Sequence, residues 1–292
     1  MLRPPAFKPV AELPHVDLDA GVKGPPLWSA LAELRRAARE RAQFLAMMHG
    51  LADAPRGDGH PVFVIPGFLS GPASTESLRR FLSGLGYDVH DWGMGRNFGP
   101  RTAGRTGERL AEHFAKVAES TGRRMTVIGW SLGGIMARQL ARRAPQHVRR
   151  VITLGAPFTG DPRATNASFL YQLLTGQRFT HPDFQKMLVE SRRPPLVPAT
   201  AIYSRSDGIV AWQCCREPDA PHTENIELDC SHGGLTAHPE ALLAIARRLA
   251  QPETLPTDLP EEPAVNWWTA VAQRFADWAA MRARAPSPTG GS

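Results

Sequence analysis

The sequence predicts an α/β protein, a mostly parallel sheet with helices on both faces. Three observations carry that prediction. The runs Val62–Ile65, Met125–Gly129, Val151–Leu154 and Ala199–Tyr203 are apolar without alternation, as strands buried on both faces are. Segments of helical apolar period lie between them. Strand and helix alternate along the middle of the chain, so most connections are crossovers, right-handed between parallel strands.

Residues 1–26 hold six prolines and no period, and read as an extended arm. From Leu27 to Met48 apolar residues recur at helical spacing (Leu27, Leu31, Leu34, Ala38, Phe44, Leu45, Met48), which predicts an amphipathic helix. A Gly/Pro/Asp turn leads into the strand Val62–Ile65, which stops at Pro66-Gly67. Ser74 to Leu82 reads as a helix, Tyr87–His90 as a short strand, and Gly93 to Gly107 as a Gly/Arg-rich loop. A helix from Thr106 to Ser120 precedes the strand Met125–Gly129, and a helix from Leu132 to Arg143 follows it. After the strand Val151–Leu154 the rhythm breaks over Asp161–Pro198, where two short helical stretches, Phe169–Leu174 and Pro182–Glu190, are flanked by prolines. Strands Ala199–Tyr203 and Asn225–Leu228 and a helix from Pro239 to Leu249 complete the body. A Pro/Glu/Thr linker then leads to a Trp-rich amphipathic helix (Trp267, Trp268, Val271, Phe275, Trp278) and a tail. The division is an arm and helix over 1–60, the α/β body over 61–250 with an insert at 161–198, and linker, helix and tail over 251–292.

The chain has 292 residues, with 34 Lys and Arg against 28 Asp and Glu, a formal net charge of +6; 42% of residues are hydrophobic and 21% charged. These values exclude wholesale disorder and a collagen-like chain. No apolar run approaches the ~20 residues of a membrane span. Met1-Leu2-Arg3-Pro4-Pro5 lacks the apolar core of a signal peptide, so the expected compartment is the cytoplasm. Three cysteines without a Cys-x-x-Cys spacing suggest neither a disulfide scaffold nor zinc, and free thiols are expected, although Cys215 and Cys230 could meet in space. Arg142-Arg143 and Arg247-Arg248 fall where helices end and complement the helix dipole. No Arg pair is interleaved with aromatics as nucleic-acid platforms are, so no nucleic-acid partner is expected. The Trp-rich helix suits association with a lipid surface or a partner.

The chemistry is concentrated in Gly129-Trp130-Ser131-Leu132-Gly133, a G-x-S-x-G between a buried strand and a helix. A serine at so sharp a turn takes a strained backbone, and side chains two positions either side would collide, hence the two glycines. The helix N-terminus offers free N–H groups to an oxyanion. A serine nucleophile needs a base, and the base an orienting acid. A parallel sheet gathers such groups from loops at the carboxyl ends of its strands. After Ala199–Tyr203 comes Ser206-Asp207-Gly208, and after Asn225–Leu228 comes Ser231-His232-Gly233-Gly234. Asp207 and His232 are thus the expected acid and base, ahead of Asp183, Asp219 and Asp229 for the acid and of His238, which looks like a helix start, for the base. The two expected oxyanion donors are the N–H of Leu132, after the serine, and that of Phe68, in the turn Pro66-Gly67-Phe68-Leu69.

These residues, with Thr153-Leu154-Gly155-Ala156-Pro157, make the stretch from Pro61 to Ala250 resemble the α/β-hydrolase superfamily, in its lipase/esterase-like branch. The family commonly has His-Gly at the oxyanion turn, where this chain has Pro66-Gly67. The resemblance implies a small helical cap at Asp161–Pro198 on the α/β-hydrolase fold, and acyl transfer from a small-molecule ester with an apolar acyl group through an acyl-enzyme. It implies no cofactor and no metal. An acyltransferase or thioesterase would use the same three residues, and a non-catalytic binding protein could share the fold.

Overall fold

A computed structural model describes residues 22–47, 54–104, 107–159 and 191–253. They hold a six-stranded, wholly parallel sheet: β1 (Pro61–Ile65), β2 (Asp88–Asp91), β3 (Met125–Trp130), β4 (Val148–Leu154), β5 (Ala199–Ser204) and β6 (Thr223–Leu228), in the order β2-β1-β3-β4-β5-β6. β1, β4 and β5 are buried throughout, and β3 in all but its last residue, Trp130. That is the burial their uninterrupted apolar runs require. The edge strands β2 and β6 are only partly covered.

Helices cover both faces. On one, α2 (Glu76–Gly84) and α6 (Pro239–Leu249) bring Leu78, Leu82, Leu242 and Ile245 onto Val62, Val64, Ile128, Ile152 and Ile202. On the other, Phe63 meets Phe114 of α4 (Glu108–Thr121) edge to face, ring centroids 5.3 Å apart. α5 (Leu132–Arg143) follows β3 directly, and its Ile135 joins Ala156, Phe158 and Ala201. Each such side chain contributes about 1.5–3 kcal/mol on burial. The expected Gly93–Gly107 loop contains one helical turn, α3 (Pro100–Ala103).

The pairing of Gly129 with Ile65 on one side and Thr153 on the other brings the ends of β1, β3 and β4 to one edge. Ser131, Pro66 and Gly155 leave the sheet there.

The predicted N-terminal helix is present as α1 (Leu27–Met47). Ala38 is exposed, whereas Glu33 and Glu40 are buried at 5% and 8% exposure. Cys214, Cys215 and Cys230 are buried and form no disulfide. No helix of the described residues is long and apolar enough to cross a membrane. The expected arm, the helices Phe169–Leu174 and Pro182–Glu190 of the insert, and the Trp-rich helix lie outside the described residues.

Candidate active site

Between the end of β3 and the start of α5 stands one residue, Ser131. Its backbone sits at φ 54°, ψ −124°, a region that non-glycine residues occupy at a cost of order 1–3 kcal/mol. Among the described residues only Ser131 and Leu69 combine a side chain with positive φ, and both lie at this edge. The flanking glycines are required by close approach. A Cβ on Gly129 would strike the Gly133 carbonyl, and one on Gly133 would strike the carbonyls of Ile65 and Pro66. The turn is fixed by Ser131 N–H donating to Leu154 O at 2.8 Å and Gly134 N–H donating to Ser131 O at 2.9 Å.

The loop after β5 carries Asp207, 5% exposed. Its Oδ1 accepts the N–H groups of Ile209 and Val210, each at 2.8 Å. Asp207 is therefore a turn-capping residue and something more, because Oδ2 lies 2.6 Å from His232 Nδ1. With Nδ1 donating to the carboxylate, a neutral His232 carries its lone pair on Nε2. The rest of His232 is equally constrained. Its N–H donates to Glu33 Oε2 at 2.8 Å, and its carbonyl accepts from Trp130 Nε1 at 3.0 Å. The Trp130 and His232 rings lie 5.4 Å apart.

The serine and this pair share a neighbourhood. Leu154 O accepts from Ser131, and a Cβ on the next residue, Gly155, would lie 3.1 Å from His232 Nδ1. Phe68 and Leu132 flank the serine from two elements. Leu132 is the first residue of α5. Phe68 follows Gly67, where a Cβ would come within 3.2 Å of Ser131 Cβ.

That turn is clamped by buried Asn97. Its Nδ2 donates to Pro66 O at 2.8 Å, its carbonyl accepts from Leu69 N–H at 2.8 Å, and its N–H donates to Ser70 O at 2.8 Å.

The electrostatics follow from burial and charge. Burial pushes the His232 pKa down, but the Asp207 charge and hydrogen bond, with the Glu33 charge behind them, leave it raised from its ordinary 6.5. Burial raises the Glu33 pKa. The Gly208 N–H opposes that, and the like charge of Asp207 adds to it, so the net direction is upward.

The other weighed residues lie apart from this arrangement. Asp219 is exposed, Asp229 accepts from Ser206 Oγ, and His238 is the residue before α6. Asp183 lies outside the described residues. A polar recess lined by Arg205, Ser206, Glu227, Leu228, Asp229 and Glu240 contains neither Ser131 nor His232. Among the described residues no group of three or more His, Cys, Asp or Glu is arranged to hold a metal ion.

Glu33, Glu40, Asn97 and the indole of Trp130 are not legible as site residues from the sequence reading. A signal for the first two exists. Ser29, Glu33, Arg36 and Glu40 recur at spacings of 4, 3 and 4, one face of a helix.

Residues 60–197 match the family model described as alpha/beta hydrolase fold. No curated protein sequence matches the chain. Among solved structures the chain is similar to lipase B of Aspergillus fumigatus, at 18% identity and a TM-score of 0.51, over 70% of this chain and 56% of that one. It is also similar to a monoacylglycerol lipase of Paleococcus ferrophilus (13% identity, 67% and 95% covered, TM-score 0.49). A metagenome-derived lipolytic enzyme is a third (16%, 67% and 96% covered, TM-score 0.48). The body of this chain has the alpha/beta hydrolase fold.

Proposed function

From the alpha/beta hydrolase fold we propose that this chain is a serine hydrolase that cleaves carboxylic esters with an apolar acyl group through an acyl-enzyme. One observation carries the reading. A serine held at positive φ on a strand-to-helix turn shares its sheet edge with a buried Asp–His pair 2.6 Å apart.

In this mechanism His232 Nε2 takes the Ser131 hydroxyl proton as Oγ attacks the ester carbonyl. The N–H groups of Leu132 and Phe68 hold the resulting oxyanion, each contributing roughly 3–4 kcal/mol to the barrier reduction. The strained turn keeps Oγ at the head of α5, whose positive dipole end favours that charge. Collapse of the intermediate breaks the bond to the alcohol oxygen, which leaves with the proton held by His232. Water attacks the acyl-enzyme, gives a proton to His232 and releases the acid, and the proton returns to Ser131. Asp207 fixes the tautomer and stabilises the imidazolium throughout.

The test is turnover of p-nitrophenyl esters from acetate to octanoate by the native protein and by Ser131→Ala. The expected result is hydrolysis with kcat/KM climbing severalfold per methylene, since each buried CH₂ contributes roughly 0.8 kcal/mol. Ser131→Ala should retain the fold and lose ~10⁴-fold or more in kcat. Undiminished turnover by Ser131→Ala removes the nucleophile assignment. A flat chain-length profile removes the preference for an apolar acyl group.

A further inference from the structure

We infer that α1 is part of the active site, and that Glu33 is a positioning residue which ties the loop of Asp207 to the loop of His232. The inference rests on the hydrolase reading above and names the device that keeps its acid and base in register.

One carboxylate is shared between the two loops. Glu33 Oε1 accepts the N–H of Gly208, the residue after Asp207, at 2.7 Å; Oε2 accepts the N–H of His232 itself at 2.8 Å. Charge-assisted bonds of this kind are short and directional. Two on one rigid group fix the separation of the backbones that carry the Asp207–His232 contact.

The neighbours on the same face of α1 act on the same two loops. Arg36 donates to Ser206 O at 2.5 Å and to Ser206 Oγ at 2.9 Å, just before Asp207. Glu40 accepts the N–H of Ser231 at 2.9 Å and also its hydroxyl, just before His232. The loops in turn approach α1 closely. A Cβ on Gly208 would lie 2.5 Å from Ser29 O, and one on Gly234 would strike the Glu40 carboxylate. Gly208 and Gly234 are thus places where a helix packs closely.

Such an arrangement is costly as a purely structural contact. Glu33 is a buried carboxylate facing a second one, Asp207, and its pKa is raised. The charged groups around it are Asp207 and His232 from the two loops and Arg36, 3.7 Å away on its own helix. What the arrangement supplies is order and charge at His232. A shift of about 1 Å in a reacting group can cost ~10²-fold in rate, and a second carboxylate behind the imidazole favours the imidazolium that forms as Ser131 attacks.

The experiment compares the full-length native protein with Glu33→Gln and Glu33→Asp. It uses three readouts: the rate of Ser131 labelling by a fluorophosphonate, kcat and KM on a p-nitrophenyl ester, and the pH profile of kcat/KM. Glu33→Gln loses the charge and one of the two acceptors. It should keep its melting temperature within a few degrees, and kcat and labelling rate should fall together by roughly 10–100-fold with KM nearly unchanged. Its acid limb should move to lower pH. Glu33→Asp keeps the charge but is too short to reach both N–H groups, so kcat should fall while the acid limb stays. Wild-type labelling rate and an unmoved acid limb in Glu33→Gln overturn the inference; if that variant does not fold, wild-type kcat in Glu33→Asp does so. Failure of the native protein to label at Ser131 at all overturns the hydrolase reading itself, and the positioning role with it.

Discussion

At the scale of single residues, His232 is held at every polar atom but one. Its N–H, its carbonyl and Nδ1 each have a partner, from Glu33, Trp130 and Asp207. Nε2 is the nitrogen left for proton transfer. An imidazole base works only when neutral, so kcat/KM must rise through its pKa. Because that pKa is raised, the acid limb should lie above the ordinary histidine value of 6.5. His232→Ala should lower kcat by ~10⁴-fold or more, while His238→Ala, at the head of α6, should leave it within about threefold. A limb below 6.5, or a reversal of the two histidines, would contradict the assignment. Ser131, Asp207 and His232 could be singled out in the sequence because each lies within a few residues of the end of a recognisable strand, with a glycine close by. Glu33 and Asn97 were not. Their partners lie far along the chain, and only folding brings an N-terminal carboxylate to residues 208 and 232.

At the scale of elements, the four central strands β1, β3, β4 and β5 were identified by their uninterrupted apolar runs, because a strand buried on both faces must be continuously apolar. Periodicity also identified α1 as a helix, and the described contacts of that helix with the loops are polar, through Glu33, Arg36 and Glu40. A polar stripe at the same period carries no weight in a hydrophobic pattern. α5 has a comparable anchor away from the serine. Arg138, fully buried, pairs with buried Glu217 and lies 3.7 Å over the Phe158 ring. It also donates to Ser191 O at 3.0 Å and to Arg193 O at 2.9 Å, which ties the segment leading into β5 onto the helix that starts after Ser131. Arg138→Ala would leave Glu217 as an uncompensated buried charge, a loss of about 3–5 kcal/mol. Replacing both by apolar residues, Arg138→Met with Glu217→Leu, should recover part of it. Denaturant unfolding checks both, and a loss below about 1 kcal/mol in the single variant would show that the pair is not an anchor.

At the scale of the whole molecule, the sheet and the site divide the work. Strand order puts β3 between β1 and β4, so the carboxyl edge gathers Ser131, the Gly67 turn and Gly155 within a few residues of one another. The loops after β5 and β6 bring Asp207 and His232 together, and α1 holds those loops from outside the segment 60–197 that matches the family model. The core keeps the edge rigid enough for a strained serine to persist. The central claim is that this edge makes Ser131 a nucleophile. Its most direct test is mass spectrometry of the full-length protein after treatment with a fluorophosphonate, with peptide mapping of the adduct. The expected result is one adduct per chain, on the peptide containing Ser131, formed faster as pH rises through the His232 titration and absent from Ser131→Ala. No adduct, or one that maps elsewhere and survives in Ser131→Ala, would contradict the claim.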